Sequence, residues 1–384
     1  MIFEVKVCVV VLDSIWHDPR VRKQIAEYQN QGIDVCCVGN KCQKYNEQEV
    51  SKIPCPVSMV MLSDEYQGKL NSVIKKIKRV LMTNKALENY IIESKPDIIH
   101  SNDLNTLVPC YHAAKKLKCK LVYDSHEICV ENNTLLPYKA YKSFIKKVEK
   151  YIINRCNLMV CVSNAAAEYF EKEYKVKKPL VVTNCGLARE IYISKEKNEG
   201  FEVLNHGQFY EGRGYDIMLK AAPLLKDNAD IKLALRGYGR MEEQLLKMKE
   251  ELQADNVIFY PPVKIQELIP FASRSCVGVA VTEAIKLNFK LSVSNKLFEY
   301  ASAGLPVIMS DIPEHRYLNE KYNFGIILKE NTPECFAQAV NELYNNKELY
   351  EKYSENALKL AKEVNWENEF GKLLKAEKEM MGEK

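Results

Sequence analysis

The sequence predicts an α/β protein of two doubly wound domains, each a parallel sheet covered by helices. Three observations predict it. Short apolar runs alternate with helix-length stretches from one end of the chain to the other. The polar, aperiodic stretch 188–200, with Lys195-Glu-Lys-Asn-Glu-Gly200, reads as a linker near the middle. A chain of 384 residues also exceeds one ordinary core, so two domains of roughly 150–200 residues are expected.

The first half offers seven strands: Val5–Val11, Asp34–Val38, Val57–Met61, Asp97–His100, Leu121–Tyr123, Leu158–Val162 and Leu180–Val182. The second offers six: Phe201–Asn205, Ile231–Leu235, Val257–Tyr260, Val277–Val281, Pro306–Met309 and Gly325–Ile327. Expected boundaries are therefore 1–188 and 201–362, with 363–384 as a final helical segment. The apolar Val5–Leu12 stretch is short, follows Glu4 rather than a basic segment, and reads as a first strand, not a signal peptide.

In such sheets ligands bind beyond the carboxyl ends of the strands. The loops at those ends are polar here. They are Asp13-Ser-Ile-Trp-His-Asp18, His100-Ser-Asn-Asp103 and Asp124-Ser-His-Glu127 in the first half, and His206–Gly214 and Arg236-Gly-Tyr-Gly239 in the second. Asp18-Pro19 caps a helix whose first turn carries Arg20, Arg22 and Lys23. Five such loops on two sheet edges predict a cleft between the domains.

Asn295–Ile308 compresses the same layout into one segment. Asn295 is a good N-cap, Lys296–Ala303 a helical run, Gly304 suits the position after the helix, and Pro306 stops its continuation before a strand. A helix starting at a sheet's carboxyl edge turns free N–H groups toward an anion, and Glu299, one turn in, can accept from paired hydroxyls. A diphosphate with a ribose fits both features. By itself the segment is equally well read as an amphipathic helix followed by a buried strand.

Composition narrows the class further. Hydrophobic content of 47% with 28% charged residues describes a globular chain, and no run approaches the roughly 20 apolar residues of a membrane span. Thirteen cysteines stand mostly singly in apolar strands, without a Cys-x-x-Cys pair, which predicts buried thiols in a reducing cytoplasm and no zinc site. The net charge of +4 divides unequally: residues 1–190 carry 29 Lys and Arg against 21 Asp and Glu. Two amphipathic segments concentrate this basic charge. In 69–85, Leu70, Val73, Ile74, Ile77 and Leu81 share a face; in 138–155, Tyr141, Ile145, Val148 and Ile152 do, opposite Lys142, Lys146 and Lys150. Such helices suit the inner face of an anionic membrane or a basic solvated face packed on the core. Nucleic acid is not expected, because no recognition motif or aromatic interleaving accompanies the charge.

Together these motifs resemble the retaining, nucleotide-sugar-dependent glycosyltransferases of family 4 (group 1). The resemblance covers nearly the whole chain: Asp18-Pro-Arg-Val-Arg-Lys23, Val122-Tyr-Asp-Ser-His-Glu127, Val160-Cys-Val-Ser163, Gly207–Gly214, Leu235-Arg-Gly-Tyr-Gly239 and Asn295–Ile308, in that order, then a Trp366 helix similar to the family's C-terminal helix that crosses back to the first domain. It implies the GT-B fold, two Rossmann-like domains with parallel sheets facing across a cleft. It implies a nucleotide-sugar donor, UDP before GDP, held by Gly207, Gln208, Arg213, Gly237, Val263, Asn295, Lys296, Leu297 and Glu299. Arg213 and Lys296 are the implied cations on the leaving diphosphate, Glu299 the ribose carboxylate, Val263 a neighbour of the base, and His126 the histidine facing the transferred sugar. Asp13, His17, Asp103 and Glu127 fall on the acceptor side, where a glycan or lipid-linked acceptor of a surface or capsular polysaccharide is implied.

Three positions depart from the family pattern. Leu291 stands where the first Glu of the Glu-x7-Glu motif is usual, Gln208 where many members carry Arg, and the first loop lacks the paired glycines. The implied reaction is front-face transfer of a hexose-type sugar, in which the leaving diphosphate takes the acceptor's proton without a metal or cofactor. A double displacement would instead need a carboxylate nucleophile such as Asp103 or Glu283. Two other readings keep the fold: a 2-epimerase-like enzyme that releases UDP without an acceptor, and a non-catalytic partner subunit.

Overall fold

Val7, Cys8, Val9 and Val10 are all fully buried, as residues of a strand covered on both faces must be, and they belong to β1 (Lys6–Val10), an interior strand of the first sheet. The structure is a computed structural model and describes residues 5–12, 15, 18–40, 50–60, 73–131, 139–284 and 287–382. Two compact units divide the chain, one of Met1–Val182 with Glu369–Lys384 and one of Thr183–Asn368.

In the first unit β1 is joined by β2 (Asp34–Asn40), β3 (Val57–Val60), β4 (Ile98–Asn102), β5 (Lys120–Ser125), β6 (Leu158–Cys161) and β7 (Leu180–Val181). All neighbours are parallel, in the order β3-β2-β1-β4-β5-β6-β7. The second unit holds β8 (Phe201–Gln208), β9 (Ile231–Tyr238), β10 (Val257–Tyr260), β11 (Val277–Ala280), β12 (Val307–Ser310) and β13 (Gly325–Leu328), again parallel, in the order β10-β9-β8-β11-β12-β13. The strand order reverses between β1 and β4 in one sheet and between β8 and β11 in the other. A crevice opens at the carboxyl ends of such strand pairs, because their crossover connections leave to opposite sides.

Every strand expected from the sequence is present, with instructive differences at the ends. β8 and β9 run three residues further than expected, so His206-Gly-Gln208 and Arg236-Gly-Tyr238 are strand, not loop. Their extension depends on a glycine pair in register, Gly207 against Gly237. A Cβ on Gly237, whose φ is 151°, would stand 1.8 Å from the Gly207 carbonyl oxygen. The helix expected from Lys296 begins one residue earlier, at Asn295, after Ser294, and the following strand starts at Val307. Gly304 takes the left-handed conformation, φ 68°, that its place beyond the helix predicts.

The 188–200 stretch lies within the second unit, because that unit satisfies its polar groups. Tyr192 N donates to Ser302 O, Ser194 N to Ser273 Oγ, and Lys197 Nζ to the carbonyls of Ser273 and Ser275. The last helix, Trp366–Met381, begins in the second unit, where Trp366 N donates to Gly186 O, and from Glu369 on it packs in the first. There Phe370 meets the Tyr28 ring edge-on at 4.9 Å.

The Lys139–Ile153 helix keeps its expected inward stripe at Ile152, which is buried, and at Ile145 and Val148, which are half-buried; Tyr141 departs from it and faces outward. Lys142 and Lys146 are half-buried, donating to Glu131 Oε2 at 2.6 Å and Glu173 Oε2 at 3.2 Å. Glu149 is buried and accepts from the hydroxyls of Tyr123 and Tyr174. Tyr141, Phe144 and Tyr151 are 49%, 60% and 51% exposed. In the Val73–Ser94 helix Leu87 and Ile91 are buried, whereas Val80, Leu81 and Met82 face outward; residues 69–72 and the side chains of 73–77 lie outside the described residues.

Gly237→Ala is expected to lose about 2–4 kcal/mol of stability, the range of backbone strain combined with overpacking. Chemical denaturation followed by circular dichroism checks it, with Gly371→Ala, where an added Cβ meets nothing within 4 Å, as the control.

Candidate functional site

Each unit carries a cluster of polar side chains at its own switch point. In the first, Asp18 caps the Pro19–Asn30 helix, its Oδ1 accepting from Arg20 N at 2.9 Å and Val21 N at 3.1 Å. The cap aims the first turn across the sheet edge, and Arg20 is buried there. Its Nε and Nη2 each donate to Asp124 at 3.0 Å, a bidentate pair, and Nη1 donates to Val182 O at 2.8 Å. Burial alone would raise the Asp124 pKa; the Arg20 charge, followed by His126 and His100, holds it well below the usual carboxylate range.

His126 follows β5 and sits among three carboxylates. Its Nδ1 is 3.5 Å from Asp103 Oδ2 and 3.8 Å from Asp18 Oδ2, and its Nε2 is 3.7 Å from Asp124 Oδ2. Nε2–H donates to Asn102 Oδ1 at 3.1 Å, and the backbone N–H of His126 donates to Asp103 Oδ1 at 2.9 Å. Burial opposes the charged imidazole, yet Asp103 and Asp124 raise its pKa to about 9. His126 is therefore an imidazolium at neutral pH.

Asp103 holds a backbone conformation, φ 63° and ψ 167°, that side chains other than glycine's rarely permit. It stands just before the Leu104–Leu117 helix but does not cap it with its side chain. Its carboxylate turns to His126 instead, and its N–H donates to Asp124 O at 2.9 Å. Strain at this position is thus compensated by two bonds to the β5 edge. Glu127 is exposed, with its carbonyl accepting from Ser125 Oγ at 2.7 Å. Asp13 and His17 lie outside the described residues.

In the second unit the end of β8 meets the first turn of the Asn295–Ser302 helix. Lys296 Nζ donates to Asn205 Oδ1 at 2.6 Å and lies 3.4 Å from the Tyr215 hydroxyl and 4.8 Å from that ring's centroid. Gly207 makes room for it: a Cβ there would come within 3.3 Å of Lys296 Cε and 3.4 Å of the Tyr215 hydroxyl. Arg213 stands between Gly212 and Gly214, both with positive φ, its guanidinium 4.7 Å from the Phe289 ring centroid. Burial, and then the Arg213 charge, push the Lys296 pKa down to about 7 against the opposing pull of Glu299; burial also lowers that of Arg213. Two cations desolvated side by side favour an anion, which would relieve both.

Glu299 lies on the same helix, and His206 Nε2–H donates to its Oε2 at 2.7 Å. The His206 ring stacks on Tyr300 at 4.5 Å, and its backbone N–H donates to the Tyr300 hydroxyl at 3.0 Å. Gln208 is exposed, with Nε2 3.5 Å from the Tyr238 hydroxyl. Val263 occupies the turn after β10, beside a loop anchored by Arg236: that guanidinium lies 4.7 Å and 4.5 Å from the Tyr260 and Phe271 rings and donates to Pro261 O at 3.2 Å. Two expectations for the helix start change. Asn295 is an exposed first helical residue, and Ser294 rather than Asn295 stands at the cap position. Leu297 is fully buried and packs in the core, and its N–H donates to Ser294 O.

The structure brings together His126 with Asp103 in one unit, and Gly207, Arg213, Lys296 and Glu299 in the other. Sequence reasoning missed Arg20 and Asp124 as a pair, the buried His100, and the supports Asn205, His206 and Tyr215. A signal was available for Asp124, which alternates with His126 along the end of a strand. None was available for Arg20, whose partner is 104 residues away.

Comparison with known proteins bears on both clusters. Residues 20–190 match the family model described as Glycosyltransferase Family 4, and residues 189–360 the model for Glycosyl transferases group 1. A curated relative, an uncharacterized glycosyltransferase (MJ1069) of Methanocaldococcus jannaschii, is 25% identical over 276 residues, 68% of this chain and 69% of that protein. Among solved structures, a glycosyltransferase from Rickettsia africae aligns with a TM-score of 0.78 at 15% identity, covering 99% of each chain. HepE of Anabaena, solved with UDP and glucose, aligns with a TM-score of 0.71 at 14% identity, covering 99% of this chain and all of that one. At these identities the two structures establish a shared fold.

Asp124→Asn leaves Arg20 buried beside a neutral partner and is expected to cost about 3–5 kcal/mol. His126 makes a pH-dependent contribution: with its folded pKa raised to about 9, the stability it adds is full below about pH 6.5 and is lost as pH rises through 9. Denaturant titrations at pH 6.5 and 9.5 should show the wild-type protein losing margin that His126→Gln does not lose.

Proposed function

The chain belongs to the glycosyltransferases of family 4 and group 1, and on that premise we propose that it transfers a hexose-type sugar, with retention, from a nucleotide diphosphate sugar to a glycan or lipid-linked acceptor of a surface polysaccharide. The observation that carries this reading is the convergence of Arg213 and Lys296, both depressed in pKa, at a glycine-lined strand end one turn from Glu299. A diphosphate answers the two cations, and the Glu299 carboxylate, braced by His206, suits paired ribose hydroxyls. UDP is favoured over GDP, in keeping with the UDP held by HepE.

The step is front-face substitution. The acceptor hydroxyl oxygen bonds to the anomeric carbon as the bond from that carbon to the diphosphate oxygen breaks, and the departing diphosphate oxygen takes the acceptor's proton. Arg213 and Lys296 stabilise the charge that grows on the leaving group, a role strengthened by their dehydration. The proposal calls for no metal, since two side-chain cations and helix N–H groups meet the diphosphate. His126, an imidazolium held among carboxylates, is the proposed donor to a hydroxyl of the transferred sugar, and Asp103 orients it.

A lipid-linked acceptor implies a membrane surface. No described helix is long and apolar enough to cross a membrane. The outward face of Lys139–Ile153 instead presents Tyr141, Phe144 and Tyr151 beside Lys147, with Arg155 stacked on the Tyr151 ring at 3.6 Å. Aromatic rings among basic side chains suit the interface of an anionic leaflet. The reading places the enzyme in the cytoplasm at that inner leaflet.

A thermal-shift panel of UDP, GDP, ADP and dTDP with their common sugars should single out the donor, and transfer from it is then measured. Arg213→Ala should lower kcat by about 10²–10³-fold, as removal of one leaving-group contact does elsewhere. Glu299→Ala should raise the donor KM by about 10-fold or more, the loss of a charged hydrogen bond. Full transfer by both variants would exclude this donor site. Free sugar released with UDP in the absence of acceptor would indicate epimerase-type chemistry. In flotation with phosphatidylglycerol vesicles, Phe144→Ser with Tyr151→Ser should bind at least about tenfold more weakly than wild type, the equivalent of one buried aromatic; equal binding would remove the membrane face.

A further inference from the structure

The Trp366–Met381 helix sends the Glu377 carboxylate into the interior of the first unit, where it is fully buried. A carboxylate in such a place needs compensating partners. Tyr28 OH donates to its Oε1 at 2.6 Å, and His100 Nδ1 lies 3.5 Å from the same oxygen. His100, also fully buried, donates through its other nitrogen, Nε2, to Asp124 Oδ2 at 3.4 Å. That same oxygen is 2.9 Å from Arg20 Nη2 and 3.7 Å from His126 Nε2. The contacts form a continuous chain: Tyr28, Glu377, His100, Asp124, His126.

We propose that Glu377 is a positioning residue for His126: it fixes the His100 ring between two carboxylates, and His100 with Arg20 fixes the Asp124 carboxylate against which His126 is set. The inference deepens the proposed role of His126 and rests on it for its consequence in transfer. Its structural half stands on the chain of distances alone. Both ring nitrogens of His100 face carboxylate oxygens, Nε2 within hydrogen-bond distance of Asp124 and Nδ1 within ion-pair distance of Glu377, an arrangement that favours the protonated ring. Although burial opposes that charge, bonding to Asp124 and Glu377 prevails and raises the His100 pKa.

The charges around the chain fix the sign of the test. His126 faces Asp18 at the start of the Pro19–Asn30 helix, Asp103 after β4, and Asp124 and Arg20. His100 faces Asp124 and Glu377, and Glu377 faces Tyr28 and His100. In Glu377→Gln the buried His100 loses one of two carboxylates that favour its charged form, so it gives up its proton more readily, with an N–H still directed at Asp124. What is removed is a charge pair whose positive member stands next to Asp124. More of the Asp124 field then falls on His126, and His126 should hold its proton to higher pH.

Ring-nitrogen NMR titration of the full chain tests this without reference to activity. In the wild type the His100 midpoint should lie above that of an ordinary histidine. In Glu377→Gln it should fall, and the His126 midpoint should rise by about half a unit or more. His100→Gln should raise the His126 midpoint similarly, and adding Glu377→Gln to it should raise it no further. A His126 midpoint that stays put or falls in both single variants overturns the proposal. So does an unfolded Glu377→Gln protein accompanied by an unmoved midpoint in His100→Gln. In transfer assays Glu377→Gln should lower kcat several-fold with donor KM unchanged, and should have no further effect in a His126→Ala background. If His126→Ala itself transfers at full rate while the midpoint shift is present, the positioning chain stands and the assigned role of His126 is what fails.

Discussion

The edge of the first unit is organised around one buried ion pair, Arg20 with Asp124. Two parallel N–H···O bonds at 3.0 Å tie the first helix to β5, and the third guanidinium bond reaches Val182, where the first segment of that unit ends. An isolated carboxylate at this depth would be neutral; paired with Arg20 it stays charged. Once charged it dictates the rest, because His100 and His126 both point a nitrogen at the same Oδ2. The Asp103 backbone is then held in its strained conformation by bonds to residues 124 and 126 of that same edge. A single pair thus fixes the helix, the strand end and the imidazole between them.

The second unit solves the opposite problem. It gathers cations, Arg213 and Lys296, whose described close partners are an amide oxygen, a hydroxyl and two aromatic rings, with the Glu299 carboxylate acting on Lys296. Asn205 serves both sides of that arrangement, accepting from Lys296 Nζ and donating to Arg213 O. Half-buried cations of this kind are where a negative charge would gain most from low-dielectric surroundings. The contrast is between a unit that spends its carboxylates on fixing an imidazolium and one that leaves its cations underneutralised.

The fold was readable because parallel strands buried on both faces leave uninterrupted apolar runs, and each of the thirteen runs became a strand among the described residues. Glycines marked the second cluster because Gly212 and Gly214 flank Arg213 in sequence, although the groups that Gly207 and Gly214 accommodate, Lys296 and Val281, are distant along the chain. What escaped depends on pairing at a distance. His206 bonds Glu299, 93 residues on, and Tyr28 bonds Glu377, 349 residues on, and no periodicity announces either. In the Lys139–Ile153 helix the stripe of Ile145, Val148 and Ile152 was legible, but the burial of Glu149 was not, because Tyr123 and Tyr174, which satisfy it, are distant in sequence.

Leu291, where a first motif carboxylate is usual, acquires meaning from the same pairing. It ends the short Leu287–Leu291 helix, whose Phe289 ring lies against Arg213. Glu299, without a second carboxylate from position 291, is set by an imidazole instead, and the His206 ring is itself fixed by stacking on Tyr300. Tyr300 in turn fills space that only a glycine at 278 allows, since a Cβ there would stand 2.2 Å from its ring. The orientation of the one remaining motif carboxylate therefore traces back, through His206 and Tyr300, to the absence of a side chain in the middle of β11.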